Sequence, residues 1–161
     1  MPKLQPFIID IVPSEFAERL ESAAMPSLAA EPNDFALRNW LLSENAKLMK
    51  LPPLATCALW LLCGDLNTSH EISQVIETPD GSFWHGIMHR REGDFGNAKY
   101  WFRRVGKHPV LTQLSASPYG NPQVFVDRCE AAIATSSSEI QICEELQWLE
   151  WQTLFAHCYS A

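Results

Sequence analysis

Two histidines one helical turn apart, His85 and His89, stand with Glu92 in the densest polar and aromatic stretch of the chain, residues 83–106. At about 3.6 residues per turn, the spacing i, i+4, i+7 puts all three side chains on one flank of a helix. That is the spacing at which a helix offers two imidazoles to one metal ion, here joined by a carboxylate. The same trio suits metal-free proton transfer, because imidazole titrates near neutrality. His85, His89 and Glu92 are therefore the candidate catalytic group, His85 and His89 the candidate metal ligands, and a divalent metal ion the candidate cofactor. Histidines that simply hydrogen-bond within a scaffold show the same spacing, and the glutamate of an HExxH motif is missing. Further ligands must come from Asp94, His70, Glu71 or His108, wherever the fold brings one of them round.

The stretch also carries four arginines. Arg90, Arg91 and Arg104, with Asn97 and Tyr100, form a candidate pocket for a small anionic ligand, since guanidinium forks match carboxylate and phosphate. Two other uses compete. Asn97, Tyr100 and Arg104 recur at i, i+3, i+7, which also describes a solvated stripe. Arg90 or Arg91 can instead pair with Glu92, Asp94 or a more distant acid and lock the scaffold. A non-enzymatic interaction module built on the same helices is the alternative reading of the whole stretch.

These residues need two helices to position them. Pro79-Asp80-Gly81 reads as a turn, with Asp80 as N-cap of a helix through Arg91. Gly93 breaks that helix, Asp94 caps the next, and Gly106 ends it. The expectation is an antiparallel hairpin over about 80–106. Phe83, Trp84, Ile87 and Met88 line the core side of the first helix, and Phe95, Ala98, Trp101, Phe102 and Val105 that of the second. Glu92-Gly93-Asp94-Phe95, with Gly86, Ala98 and Phe102 at helix-crossing positions, resembles part of one tetratricopeptide or Sel1-type repeat. The resemblance implies a close-packed hairpin; with no second copy, it does not imply a solenoid. The run from His89 to Arg104 is also similar to a motif of small microbial and fungal proteins, a resemblance that implies a small helical domain and brings no activity.

The rest of the chain supports a single all-α domain over residues 1–161, a bundle of seven to eight helices. Residues 1–13 read as an extended lead-in, and 25–32 and 115–122 as loops. Helices are expected from Ser14, from Asn33 or Asp34 to about Leu48 with Phe35, Leu37, Trp40 and Leu41 buried, and over Leu54 to Cys63 before a Gly64 cap. Others follow from a capping box at Thr68 and Glu71, over Val124 to Ala134, and from a second capping box at Ser136 and Glu139 to about Cys158.

Bulk properties narrow the partners. At 161 residues, 47% hydrophobic and 19% charged, the chain can bury a core. A net charge of −7 offers no global attraction to phosphate backbones or anionic lipid. Five widely spaced cysteines without a CxxC pair read as buried thiols. No basic segment followed by a long apolar run opens the sequence, and the longest apolar run, residues 55–63, is too short for a bilayer. The expected protein is cytoplasmic, binds neither nucleic acid nor membrane, and can form a homo-oligomer. P-loop, GxGxxG, GxSxG and calcium-loop signatures are absent, which disfavours nucleotide-dependent and hydrolase-fold enzymes.

Overall fold

The computed structural model describes residues 3–30, 33–48, 50–135 and 138–160. They form an all-α bundle. Eight helices have eight residues or more: α2 (Ser14–Glu21), α3 (Phe35–Ser43), α5 (Pro53–Cys63), α6 (Leu66–Ser73), α7 (Pro79–Arg91), α8 (Phe95–Val105), α10 (Pro122–Thr135) and α11 (Glu139–Tyr159). Shorter segments are α1 (Pro6–Ile9), α4 (Asn45–Leu48) and α9 (Pro109–Leu114). The bundle matches the expected class, and the three short segments account for the larger number of elements.

α5 and α7 form the centre. α5 is apolar almost all round and buries nine of its eleven residues, as a helix with no solvent face must. Gly64 closes it at φ +91°, a conformation that costs glycine least. α7 packs against α8, α6 and α5. It is buried from Gly81 to Arg91, although five of those eleven residues, Ser82, His85, His89, Arg90 and Arg91, are polar or charged. Each of those polar side chains therefore needs a partner supplied by a neighbouring element.

The hairpin forms as expected. Gly93 takes φ +86° at the turn, and the Asp94 carboxylate accepts the Asn97 amide at 3.2 Å to cap α8. Gly86 lets the helices close: a Cβ there would stand 3.0 Å from the Phe102 ring. Phe102 in turn meets Phe83 edge to face, centroids 5.8 Å apart.

Several local expectations are corrected. Residues 6–9 form a helical turn rather than extended chain, because Pro6 sits at the first helical position and buries Ile8 against the body. α6 starts at Leu66, before the expected Thr68 cap, because the Asp65 carboxylate already accepts the Thr68 amide at 3.1 Å. α7 is capped by the Thr78 hydroxyl, not by Asp80; Pro79 takes the first helical position. Phe35 is exposed rather than buried, while Leu37 and Leu41 reach the core. Residues 25–30 form the expected loop, whose last two residues, 31 and 32, lie outside the described ones, yet Pro26 and Leu28 are buried. The expected cap at Ser136 lies outside the described residues. All five cysteines are free and buried. Among the described residues no helix is long and apolar enough to cross a membrane.

Candidate functional site

The two histidines of α7 meet a third from α6. His70, His85 and His89 each bring a ring nitrogen to within 4.8 Å of the others. The Nε2 atoms of His70 and His85 are 3.1 Å apart. His85 and His89 are buried, and His70 is half-buried at the rim of an open cleft of ≈ 580 Å³ that Glu92, Arg38 and Asn67 also line. Of the four distant ligand candidates, the packing of α6 on α7 selects His70. Glu71, one residue on, points away and accepts from Asn67 at 3.3 Å.

His89 is fixed from both ends. Its Nδ1 lies 2.5 Å from Glu92 Oε1, and its Nε2 lies 3.3 Å from the Asn97 amide nitrogen. A carboxylate can only accept from a neutral imidazole, so the proton belongs on Nδ1 and the lone pair on Nε2. This is the tautomer of a metal ligand whose second nitrogen is held by an outer carboxylate.

The His85 ring is fixed by stacking. Trp101 lies parallel on one side with centroids 3.9 Å apart, and the His89 ring is 4.7 Å away. Sequence periodicity placed Trp101 among the core residues; its indole is instead one wall of the site. Burial, followed by electrostatic repulsion from the neighbouring His89 and His70 whenever they are protonated, pushes the His85 pKa down to about 4. His85 is therefore neutral at physiological pH. Its Nδ1 is buried with no hydrogen-bond partner among the described residues. Such unsatisfied buried atoms are uncommon; Arg90 Nε is the other one among the described residues.

The arginines do not join this site. Arg90, 1% exposed, forms a bidentate pair with Glu150 at 2.6 and 3.0 Å and reaches Gln147 at 3.1 Å. Tyr119 donates to the same carboxylate at 2.6 Å. Burial opposes the Arg90 charge, and Glu150 more than offsets it, holding the pKa above its ordinary value. Arg91 donates to the carbonyls of Ser27, at 3.1 Å, and Leu61. Its pKa is pushed down to about 10, first by burial and then by Arg90. Arg104 is exposed, its guanidinium over the Tyr100 and Trp101 rings at 5.8 and 5.3 Å. The expected anion pocket of Arg90, Arg91, Arg104, Asn97 and Tyr100 is not assembled. Two of its arginines are internal ties, Asn97 belongs to His89, and Tyr100 lies on the surface.

Two other clusters could hold an ion by proximity: His89, Glu92 and Asp94, and Asp80, His108 and His157. The first shares His89 and Glu92 with the site above, and its Asp94 is engaged as the α8 cap. In the second, His108 Nε2 and His157 Nε2 lie 2.5 and 3.2 Å from Asp80 Oδ1. His108 Nδ1 accepts the Val110 amide at 3.1 Å as the cap of α9. That bond fixes the proton on Nε2, so this nitrogen has no lone pair for a metal unless the cap breaks. The Asp80 cluster is thus a hydrogen-bonded tie between the start of α7, the start of α9 and the end of α11.

No family model, curated protein or solved structure matches the chain.

Proposed function

We propose that this protein binds a divalent transition-metal ion at the hairpin, with His70, His85 and His89 as ligands and Glu92 holding His89 in register. The observation that carries this reading is the convergence of three imidazoles from two helices within 4.8 Å. Its chemistry favours zinc, cobalt, nickel or copper over magnesium or calcium, because imidazole nitrogen is a poor match for hard cations. Adjacent ligands about 2.0–2.1 Å from a tetrahedral ion stand roughly 3.3–3.4 Å apart. The 3.1 Å between His70 and His85 lies just under that spacing, and the whole set lies within 4.8 Å.

Metal titration of protein purified without a histidine tag tests this. Untagged wild type is expected to retain about one zinc or cobalt ion per chain through desalting, as a site of this ligand number does. His70→Ala, His85→Ala and His89→Ala are each expected to lose it, while Asp80→Asn keeps it. Wild type that retains less than about a tenth of an equivalent would overturn the proposal. So would a His85→Ala, His89→Ala double variant that binds as tightly as wild type.

A further inference from the structure

Three imidazoles leave a tetrahedral ion one further position, and the structure assigns it to Asn97: we infer that the Asn97 amide oxygen is the fourth ligand, closing the site with protein donors. This rests on the metal-binding reading above. Asn97 comes from α8, the one helix of the hairpin that gives the cluster no histidine. Its amide nitrogen stands 3.3 Å from His89 Nε2. That matches the spacing of about 3.3–3.4 Å between two ligands of one tetrahedral ion. As a metal ligand His89 Nε2 gives its lone pair to the ion, so it can no longer accept from the amide N–H. Rotation of the amide by half a turn about its last side-chain bond exchanges nitrogen for oxygen at the same place and presents an oxygen lone pair to the ion.

The backbone at Asn97 is already fixed, because its N–H is bound by the Asp94 cap. The side chain is half-buried, and a turn about its last bond leaves the helix backbone where it is. An ion held by His70, His85, His89 and Asn97 ties α6, α7 and α8 together and has no open position for a substrate. Closed four-coordinate sites of this kind hold structure or metal rather than activate water. Such a site holds the ion and leaves it no position from which to activate water for hydrolysis.

Cobalt(II) titration monitored by visible absorption is the test, with wild type, Asn97→Ala and Asn97→Asp compared by their melting curves for intact folding. A ligand role predicts that Asn97→Ala weakens cobalt at least about tenfold, the lower end for loss of even an outer partner. It also predicts that Asn97→Ala gains an azide-induced spectral change that wild type lacks, because water replaces the amide. Asn97→Asp, which puts a carboxylate oxygen in the same place, is expected to bind more tightly than wild type. Unchanged cobalt affinity and spectrum in Asn97→Ala overturn the inference. So does a loss of the same size in Asn97→Asp, which marks a hydrogen bond from the amide to His89 instead. An azide response in wild type overturns the closed site while leaving metal binding standing. Wild type that binds no cobalt overturns both readings before any Asn97 variant is compared.

Discussion

Replacing Glu92 by Gln isolates what the outer carboxylate does for the site. The substitution keeps the shape of the side chain and removes the charge that fixes the His89 tautomer across 2.5 Å. Glutamine can still accept from Nδ1, but it can also donate, so the lone pair is no longer confined to Nε2. Loss of such a partner weakens metal binding by about 10–100-fold, or roughly 1.4–2.8 kcal/mol. Because the ion binds the folded chain, the weakening appears in stability. For a domain of this length 1 kcal/mol moves Tm by about 2–4 °C, so the zinc-induced rise in Tm should shrink by about 3–11 °C. Differential scanning fluorimetry with and without saturating zinc gives the shift, and competition with a chromophoric chelator gives the affinity. Asp80→Asn is the control: it removes a carboxylate from another histidine pair, so it should lower Tm in both conditions and leave the zinc-induced rise intact. An identical zinc response in Glu92→Gln and wild type would refute the role given to the carboxylate.

Other outcomes follow from the packing. Burial pushes the thiols of Cys57, Cys129 and Cys158 up to about 12. A raised thiol pKa leaves stability intact below the unfolded value near 9 and removes it as pH climbs toward 12. At pH 10 each thiol costs about 1.4 kcal/mol, or roughly 4 kcal/mol together, so denaturant midpoints should fall steeply between pH 9 and 11; replacing all three by Ala or Val should flatten that fall. Arg90→Met strands the Glu150 carboxylate in the core without its cation and should cost about 3–5 kcal/mol in urea unfolding, far more than Arg104→Met on the surface. Gly86→Ala drives a methyl to 3.0 Å from the Phe102 ring and should cost about 1–3 kcal/mol. Gly96→Ala, with nothing within 4 Å of the added methyl, should instead stabilise α8 by about 0.5–1 kcal/mol.

What could be read from sequence was set by how local its cause is. The hairpin follows from Gly93, Asp94 and Gly86, whose effects act within a turn or across one helix crossing. His85, His89 and Glu92 share a flank because helical geometry alone puts them there. His70 was one of four candidates, and only the packing of α6 on α7 singles it out. The partner of Arg90 lies sixty residues away in sequence; periodicity can say that an arginine on a buried helix needs an acid, but not which one. Asp80 illustrates a local signal overruled by a neighbour. Pro79 at the first helical position moves the cap to Thr78 and leaves the carboxylate for His108 and His157. Trp101 was misplaced because an aromatic at core spacing looks the same whether it packs on leucine or on an imidazole.

The polar side chains of α7 leave the helix in separate directions, and that separation bears on how the site works. Arg90 is tied to α11 through Glu150, Arg91 to α5 and to Ser27, and Asp80 to α9 and α11. These ties hold α7 in place by bonds that involve no histidine of the cluster, and the Thr78 and Asp94 caps fix the first turns of α7 and α8 independently. The imidazoles are therefore presented by a scaffold that does not need the ion in order to fold, unlike a zinc finger. Metal-free protein should show the same far-ultraviolet circular dichroism as the zinc-loaded form and unfold cooperatively, with the ion adding only its binding free energy. Trp101, stacked on His85 at 3.9 Å, should report that binding through its fluorescence, and copper should quench it. A chain that loses its helical signal on treatment with a chelator would show instead that the cluster, rather than the arginine ties, holds the hairpin together.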